Sequence, residues 1–559
     1  MKFYVKRFKN VVPFFIVMFL LLLRAVWEYV SPVNPDDYKG LIYLRDIVLI
    51  FPASFIFSYT LLVHINSIVS GKMHFLNWIQ KRKWMITGIM SLLVFCLCLL
   101  INIIVYKTCA HIVDEANYLF QAKIFASGRL WAAPSELSKE FFHLLYFVQT
   151  PDKWFSSFFP GQSLLFAIGI FLKVPFLINP FLTAVLLITT VWAGQKIYSI
   201  HTGLIAGFFL LCSPFVLFQG ASYFSHIFPA IIITLVLIWF AQMGGFTYRK
   251  CFISGILTGI LFLFRPLSAF VIILFFLFFI VFLCIKNKDF NSKSGIRYLI
   301  MFGIGILPGV ILFFGYNYYL TGHYFTTPHQ LALPNENLGF GMHSLKNTLI
   351  NVTGISVDLL GLPLLSLIPV VLFFSSRCQY SKFFLIFSIM YCLAYSIYPY
   401  HGLSYGPRFY FELVPILLIG SAQVFLEKCT FSYKKFAAVF SSFSRKAIIY
   451  ALLICIPVIS FLGIIPWRVS VFVNRGEYYN IKDTVQKEVI PPAIVSIKSS
   501  DKERIIPYLA GFQLNSPCLQ GDIIYVRYLP EKKDELMRVY PDRHHYILYM
   551  DKKIVLSDT

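Results

Sequence analysis

The sequence predicts an all-α polytopic membrane protein with about thirteen transmembrane helices and a small C-terminal α/β domain outside the membrane. Three observations carry that prediction. The 559 residues are 58% hydrophobic and only 13% charged, where soluble domains carry roughly 25% charged residues. Mean hydropathy is +0.73. Apolar runs long enough to cross the ~30 Å hydrocarbon core recur along the chain.

The longer runs are 11–31, 47–66, 84–106, 179–198, 225–243, 299–318, 408–426 and 447–466, and shorter ones lie at 203–218, 251–264, 267–285, 362–376 and 381–398. The first run contains Arg24 and ends without a small-residue cleavage site, so it reads as a retained helix.

A net charge of +22 raises the question of nucleic acid. The basic residues sit in short loops between apolar runs, as membrane topology requires, and no nucleic-acid partner is expected. Lys2, Lys6, Arg7 and Lys9 place the N-terminus in the cytoplasm. Lys72, Lys81, Arg82 and Lys83 mark the next cytoplasmic loop, and later clusters reach as far as Arg445 and Lys446. The alternation closes only if 160–178, interrupted by Pro160, Gly161 and Pro175, does not cross. Three pieces then lie outside: loop 107–178, loop 319–361 and the tail 467–559. The tail is polar, with short apolar runs such as Ala493–Lys498 and Tyr546–Met550 between turn residues. The chain thus divides into two added N-terminal helices (1–83), a transmembrane core (84–466) and the external tail (467–559). The expected location is the inner cell membrane, among membrane lipids.

Most of the eleven cysteines lie in or beside apolar runs, where Cys behaves as a small hydrophobe. Cys109 and Cys518 fall outside and could pair in an oxidising compartment. No His/Cys spacing suggests structural zinc.

The chemistry concentrates after the third run, in His111-Ile-Val-Asp114-Glu115-Ala-Asn-Tyr118. Asp114 and Glu115 open an amphipathic helix with Tyr118, Leu119, Ala122, Phe125 and Ala126 on one face and Gly128 as its stop. An ordinary acidic helix start accounts for the pair. The other reading is a general base with a metal- or hydrogen-bonding neighbour. Pro160-Gly161 reads as a helix breaker at membrane level, with the shaping of a cavity wall as the alternative. Arg265 has no partner nearby in sequence, which favours an anionic ligand, with snorkelling to headgroups as the alternative. Arg408 and Glu412, four apart, can pair on one helix face. His226, His323, His329, His343 and His401 fall on the external side, and Asn351-Val352-Thr353 fits the glycosylation sequon.

Asp114-Glu115-Ala-Asn-Tyr118-Leu with Gly128, Phe159-Pro160-Gly161, Tyr316–Gly322 with Leu338-Gly-Phe-Gly341, and Tyr405-Gly-Pro-Arg408-Phe-Tyr410 occur in that order. Together they resemble GT-C membrane glycosyltransferases, in particular the protein O-mannosyltransferase and lipid A aminoarabinose transferase relatives. The resemblance spans roughly 84–466 and departs from the family's Pro-Pro-Gly element, where Phe159 replaces the first Pro.

The resemblance implies inverting transfer of a sugar from a polyprenyl-phosphate donor to a hydroxyl on a lipid, glycan or protein acceptor. Asp114 would be the base. Glu115 would assist it or hold a divalent metal. Arg265 and Arg408 would bind the donor phosphate. Tyr118, Pro160, Gly161, His226, His401 and Tyr405 would line the substrate cavity. A family lysine near the Pro-Gly element has no clear match; Lys153 and Lys173 are the nearest. The competing class is a transporter or lipid flippase, against which stands the lack of an inverted repeat.

Overall fold

The computed structural model describes residues 78–242, 247–286, 292–336, 338–362, 366–426, 453–476, 481–498, 506–549 and 554–556. The expected first two spans and the basic cluster 428–446 lie outside these residues. Among the described residues, six helical segments are long and apolar enough to cross a membrane. They are Lys83–Val105, Pro175–Ile197, Pro266–Ile285, Ser294–Thr321, Arg408–Leu426 and Leu453–Val473. The chain is an integral membrane protein.

The helices in chain order are α1 (Lys83–Leu100), α2 (Val113–Ala126), α3 (Pro160–Phe171), α4 (Ile178–Ile197), α5 (Ile200–Cys212), α6 (Pro214–Ala221), α7 (Ile227–Ala241) and α8 (Tyr248–Phe262). They continue with α9 (Pro266–Lys286), α10 (Ser292–Thr321), α11 (Pro328–Ala332), α12 (Met342–Asp358), α13 (Ile368–Ser375), α14 (Ser381–Tyr395), α15 (Val414–Leu426) and α16 (Ile465–Gly476). The run at 203–218 is broken: α5 and α6 meet at 64°, where Ser213 caps α6 and Pro214 starts it. The run at 362–376 yields only the eight-residue α13, about 12 Å long and too short to cross alone. α3 has 12 residues, about 18 Å, again short of a span.

Helices α8 and α10 cross through glycines. A Cβ on Gly259 would stand 2.7 Å from the Ile306 carbonyl oxygen, and one on Gly309 would run into Gly259. Small residues four apart on both helices allow that approach, which compensates for the weak apolar drive between helices in lipid.

Helix α12 lies within the expected external loop 319–361, and its polarity is reversed relative to a helix in water. Met342, Leu345, Leu349 and Val352 are exposed, while Asn347 and Asn351 are buried. Asn347 donates to the Tyr398 carbonyl (3.2 Å) and Asn351 to that of His401 (2.8 Å). The Asn351 side chain of the sequon is therefore held inside the packing, while Val352 and Thr353 are exposed.

The tail contains a four-stranded sheet in the order β4-β3-β5-β6. The first loop supplies the hairpin β1 (Phe147–Gln149) and β2 (Trp154–Ser156); the tail supplies β3 (Ala493–Ile497), β4 (Ile523–Arg527), β5 (His544–Leu548) and β6 (Ile554–Leu556). Strand β3 is parallel to β4 and β5, and β6 runs antiparallel to β5. Helices α17 (Ile481–Glu488), α18 (Ile506–Phe512) and α19 (Lys533–Val539) accompany it.

Tail and first loop share one apolar core, in which Phe120, Phe142, Phe147 and Trp154 meet Ile494, Phe512 and Tyr525. The Lys123 ammonium donates to the carbonyls of Gln513 (2.6 Å) and Asn515 (2.9 Å), and Tyr508 donates to that of Phe141 (2.7 Å). Burial lowers Lys123 to about 8. Helix α2 is thus enclosed between the bundle and the tail and buried on most sides, not on one face. Cys109 and Cys518 are free thiols; Cys518 Sγ sits 3.6 Å from Arg129 Nη1.

Candidate active site

Asp114 and Glu115 open α2, as expected, and then take different environments. The Glu115 side chain turns back over its own helix start. Oε2 accepts from the backbone N–H groups of His111 (2.9 Å) and Ile112 (3.1 Å) and from the Tyr405 hydroxyl (2.9 Å). Oε1 accepts from Tyr223 N–H (2.8 Å). Burial pushes this carboxyl up to about 7, while the four donors pull the other way. Glu115 is 1% exposed, and its oxygens face hydrogens. That donor set does not fit a metal ligand, which must present lone pairs to the ion. Among the described residues no three His, Cys, Asp or Glu side chains converge on a metal position.

Asp114 instead points to Arg408, whose Nη1 lies 2.7 Å from Asp114 Oδ2. The expected Arg408–Glu412 pair does not form, because residues 408–413 are a 3₁₀ turn and not α-helix, so positions four apart do not share a face. The contact is an ion pair off the N–H direction: Arg408 Nε and Nη1 are buried without a hydrogen-bond acceptor. The guanidinium lies over Phe224 (4.5 Å) and Phe409 (5.6 Å).

Glu412 pairs with Arg265, whose Nε is 3.0 Å from Glu412 Oε1 and donates to the Tyr395 hydroxyl (3.0 Å). The partner that Arg265 lacks in sequence thus comes from 147 residues downstream. His226 Nδ1 is 3.3 Å from the same carboxylate oxygen, and Tyr391 donates to Oε2 (2.7 Å). Arg265 also lies over Phe409 (5.9 Å), so both arginines flank one ring.

The Tyr118 hydroxyl is 2.9 Å from Ser225 Oγ, and its ring stacks on Phe158. Pro160 is the first residue of α3, and Gly161 N–H donates to the Leu263 carbonyl (2.7 Å). A Cβ on Gly161 would stand 2.4 Å from Phe264. The Pro-Gly element therefore seats the turn that carries Arg265.

Tyr405 is buried and holds φ +55° beside Gly406 at +116°. A Cβ on Gly406 would meet Phe215 at 2.5 Å. His401 is different: it lies exposed in a turn, with Nδ1 accepting from Leu403 N–H (3.0 Å). His329 pairs with Glu336 (2.7 Å). Lys153 donates to the Tyr319 carbonyl (2.8 Å), and Lys173 is exposed.

Three further residues belong here that the sequence reading did not single out. Arg468, beyond the last apolar run, donates to the Tyr405 carbonyl (3.0 Å) and pairs with Asp358 (2.5 Å), both side chains being buried. An isolated charge beside an apolar run was the available signal. Tyr146 stacks on His329 (6.0 Å), and burial with the nearby Asp114 charge pushes it up to about 12.

The crystal structure of ArnT from Cupriavidus metallidurans bound to undecaprenyl phosphate matches with TM-score 0.54 at 11% identity, covering 83% of this chain and 93% of that one. Its apo form matches with TM-score 0.52 at 10% identity, over 82% and 92%. The chain shares its fold with these ArnT structures. The archaeal oligosaccharyltransferase AglB from Archaeoglobus fulgidus, in complex with an inhibitory peptide and a dolichol-phosphate, matches with TM-score 0.48 at 12% identity, over 84% and 70%. No known family model and no curated protein matches the sequence.

Proposed function

We propose that this GT-C fold transfers a sugar from a polyprenyl-phosphate donor to an acceptor hydroxyl on the external face of the membrane, with inversion and with Asp114 as base. The observation that carries the reading is the 2.7 Å meeting of Asp114 with Arg408. A candidate base and a buried cation stand at one point, at the start of the apolar segment Arg408–Leu426. The donor phosphate of a lipid-linked sugar lies at that boundary.

In the resting site each carboxylate neutralises an arginine. A donor phosphate offers Arg408 a stronger, bidentate acceptor. As Arg408 turns to the phosphate, the Asp114 carboxylate is released to take up the acceptor proton. The acceptor oxygen then attacks the anomeric carbon from the face opposite the phosphate. Its proton passes to Asp114 as the C–O bond to phosphate breaks, and the polyprenyl phosphate leaves with the bonding electrons. Arg408 and Arg265 meet the charge that develops on it. Donor binding therefore precedes proton abstraction. The fold shared with ArnT, a protein crystallised with undecaprenyl phosphate, supports the donor class.

The test is donor turnover by the purified full chain in proteoliposomes loaded with undecaprenyl-phosphate sugars. Asp114→Asn keeps the shape and removes the base, so turnover should fall at least about 100-fold in protein that remains folded at the assay temperature. Normal transfer by Asp114→Asn refutes the assignment.

A further inference from the structure

Helix α12 turns an apolar stripe away from the protein. Met342, Leu345, Leu349 and Val352, spaced three and four apart, share one face, and Met342 is 87% and Leu345 63% exposed. In water such a stripe would be turned inward and the buried Asn347 and Asn351 outward.

What the inner face holds fixes where the helix lies. Just before α12, Gly339 N–H donates to the Ile397 carbonyl (3.0 Å), beyond the end of α14. Asn347 and Asn351 then hold the carbonyls of Tyr398 and His401. Near the far end of α12, a Cβ on Gly354 would stand 3.2 Å from Pro407. Residues 397–407 are the chain reversal between α14 and the apolar segment Arg408–Leu426. Both ends of such a reversal lie at one face of the membrane. Helix α12 follows it from end to end, so it runs along that boundary and does not cross.

The stripe also continues surfaces that face lipid. Ile386, Ile389 and Leu393 are exposed on the apolar helix α14, Leu393 in its last turn. The span in α10 ends in exposed Tyr318 and Tyr319, as an aromatic belt does. Past its end, Tyr324 stacks back on Tyr318 (4.5 Å), and the exposed Phe325 packs on Phe314 within the span (5.2 Å). The chain leading to α12 thus returns to the apolar flank of α10 before it reaches Ile397. Lys346, exposed beside the stripe, has the length to reach headgroups.

We infer that α12 is an interfacial helix whose Met342–Leu345–Leu349–Val352 stripe is seated among the acyl chains of the leaflet on the side of Arg408. Amphipathic helices at such a boundary bury their apolar face about 5–10 Å deep. Continuity with lipid-facing residues of α10 and α14 selects acyl chains as the occupant over a second copy of the chain. The polar face is used on the protein, so α12 ties the lipid surface to the turn that enters Arg408. The inference is independent of the transferase reading.

The experiment measures the surroundings of the stripe in the full chain in nanodiscs. Nitroxides are placed one at a time at Leu345, Leu349 and Val352, through an unnatural ketone side chain that leaves the cysteines untouched. Leu307, exposed on the α10 span, is the lipid reference, and Lys487, exposed on α17, the water reference. Relaxation by oxygen, which concentrates in lipid, is compared with relaxation by a water-soluble nickel chelate. The oxygen-to-nickel ratio at the three stripe positions should exceed that at Lys487 by about tenfold and agree among themselves within about twofold. A crossing helix would change depth by about 10 Å from Leu345 to Val352. A steep gradient along the stripe therefore overturns the inference. So does a ratio like that at Lys487, which means water. Low accessibility to both reagents also overturns it, because protein then covers the stripe.

Discussion

Glu115→Gln separates the two adjacent carboxylates by role. At pH 8 the wild-type side chain is mainly ionised and accepts four hydrogen bonds, three at Oε2 and one at Oε1. An amide has one accepting oxygen. Its better orientation places that oxygen toward His111, Ile112 and Tyr405 and turns the NH₂ group against Tyr223 N–H. One buried donor is then orphaned, at about 1–3 kcal/mol, and the remaining three bonds each lose roughly 1 kcal/mol of charge assistance. Relaxation takes part of this back, leaving a loss of about 3–5 kcal/mol. The assay is thermal unfolding in nanodiscs at pH 8, run beside Asp114→Asn. Glu115→Gln should lower the midpoint by several degrees and keep measurable turnover in the folded protein, and Asp114→Asn should abolish turnover in protein that is still folded. An unchanged midpoint for Glu115→Gln refutes the structural role. Should turnover then collapse as well, Glu115 belongs to the chemistry.

Three further substitutions probe what surrounds the site. Gly161→Ala drives a Cβ into the Phe264 ring at 2.4 Å, so it should cost about 1–3 kcal/mol and, by shifting Arg265, raise the KM for donor several-fold in steady-state assays. Arg468→Ala leaves Asp358 buried without its guanidinium partner, a loss of about 3–5 kcal/mol, which denaturant titration in detergent would read. Lys123 is lowered from 10.5 to about 8, so between those values the undocked state carries more protons and docking of the tail strengthens as pH rises, by up to about 3 kcal/mol. Limited proteolysis of the tail from pH 7.5 to 10.5 should show that gain in wild type and a flat response in Lys123→Met.

Hydropathy found the long spans because crossing lipid demands a run that is apolar on every side, as in Pro266–Ile285. It is weaker where a helix has one apolar face. Helix α12 has Asn347 and Asn351 between its exposed Met342, Leu345 and Leu349, and averaging along the chain makes it look like a polar loop. Its polarity becomes legible only when the inner face is seen holding the Tyr398 and His401 carbonyls. The bend at Ser213–Pro214 was written in the sequence as a capping residue before proline. The partition of the tail was harder to read, because its core is completed by Phe120, Phe142 and Trp154, more than 300 residues upstream.

The individual charges of the site were visible, but their pairing was not. An arginine at the edge of an apolar run announces that it needs an anion, and Arg265 and Arg408 stood out on that ground, as Asp114 did in the acidic pair at a helix start. Which anion answers depends on the local helix type and on chain reversals that spacing does not encode. The four-residue spacing of Arg408 and Glu412 implies a pair only in an α-helix; the 3₁₀ turn there sends one side chain to Asp114 and the other to Arg265. That divergence sets the Asp114 carboxylate against a cation at one point and a separate arginine, bound to Glu412 and Tyr395, across the Phe409 ring. Were 408–413 regular helix, Arg408 would satisfy Glu412, Arg265 would lack its carboxylate, and Asp114 would stand alone. The arrangement follows from the turn, and Gly406, whose Cβ would strike Phe215, is what allows the chain to enter it.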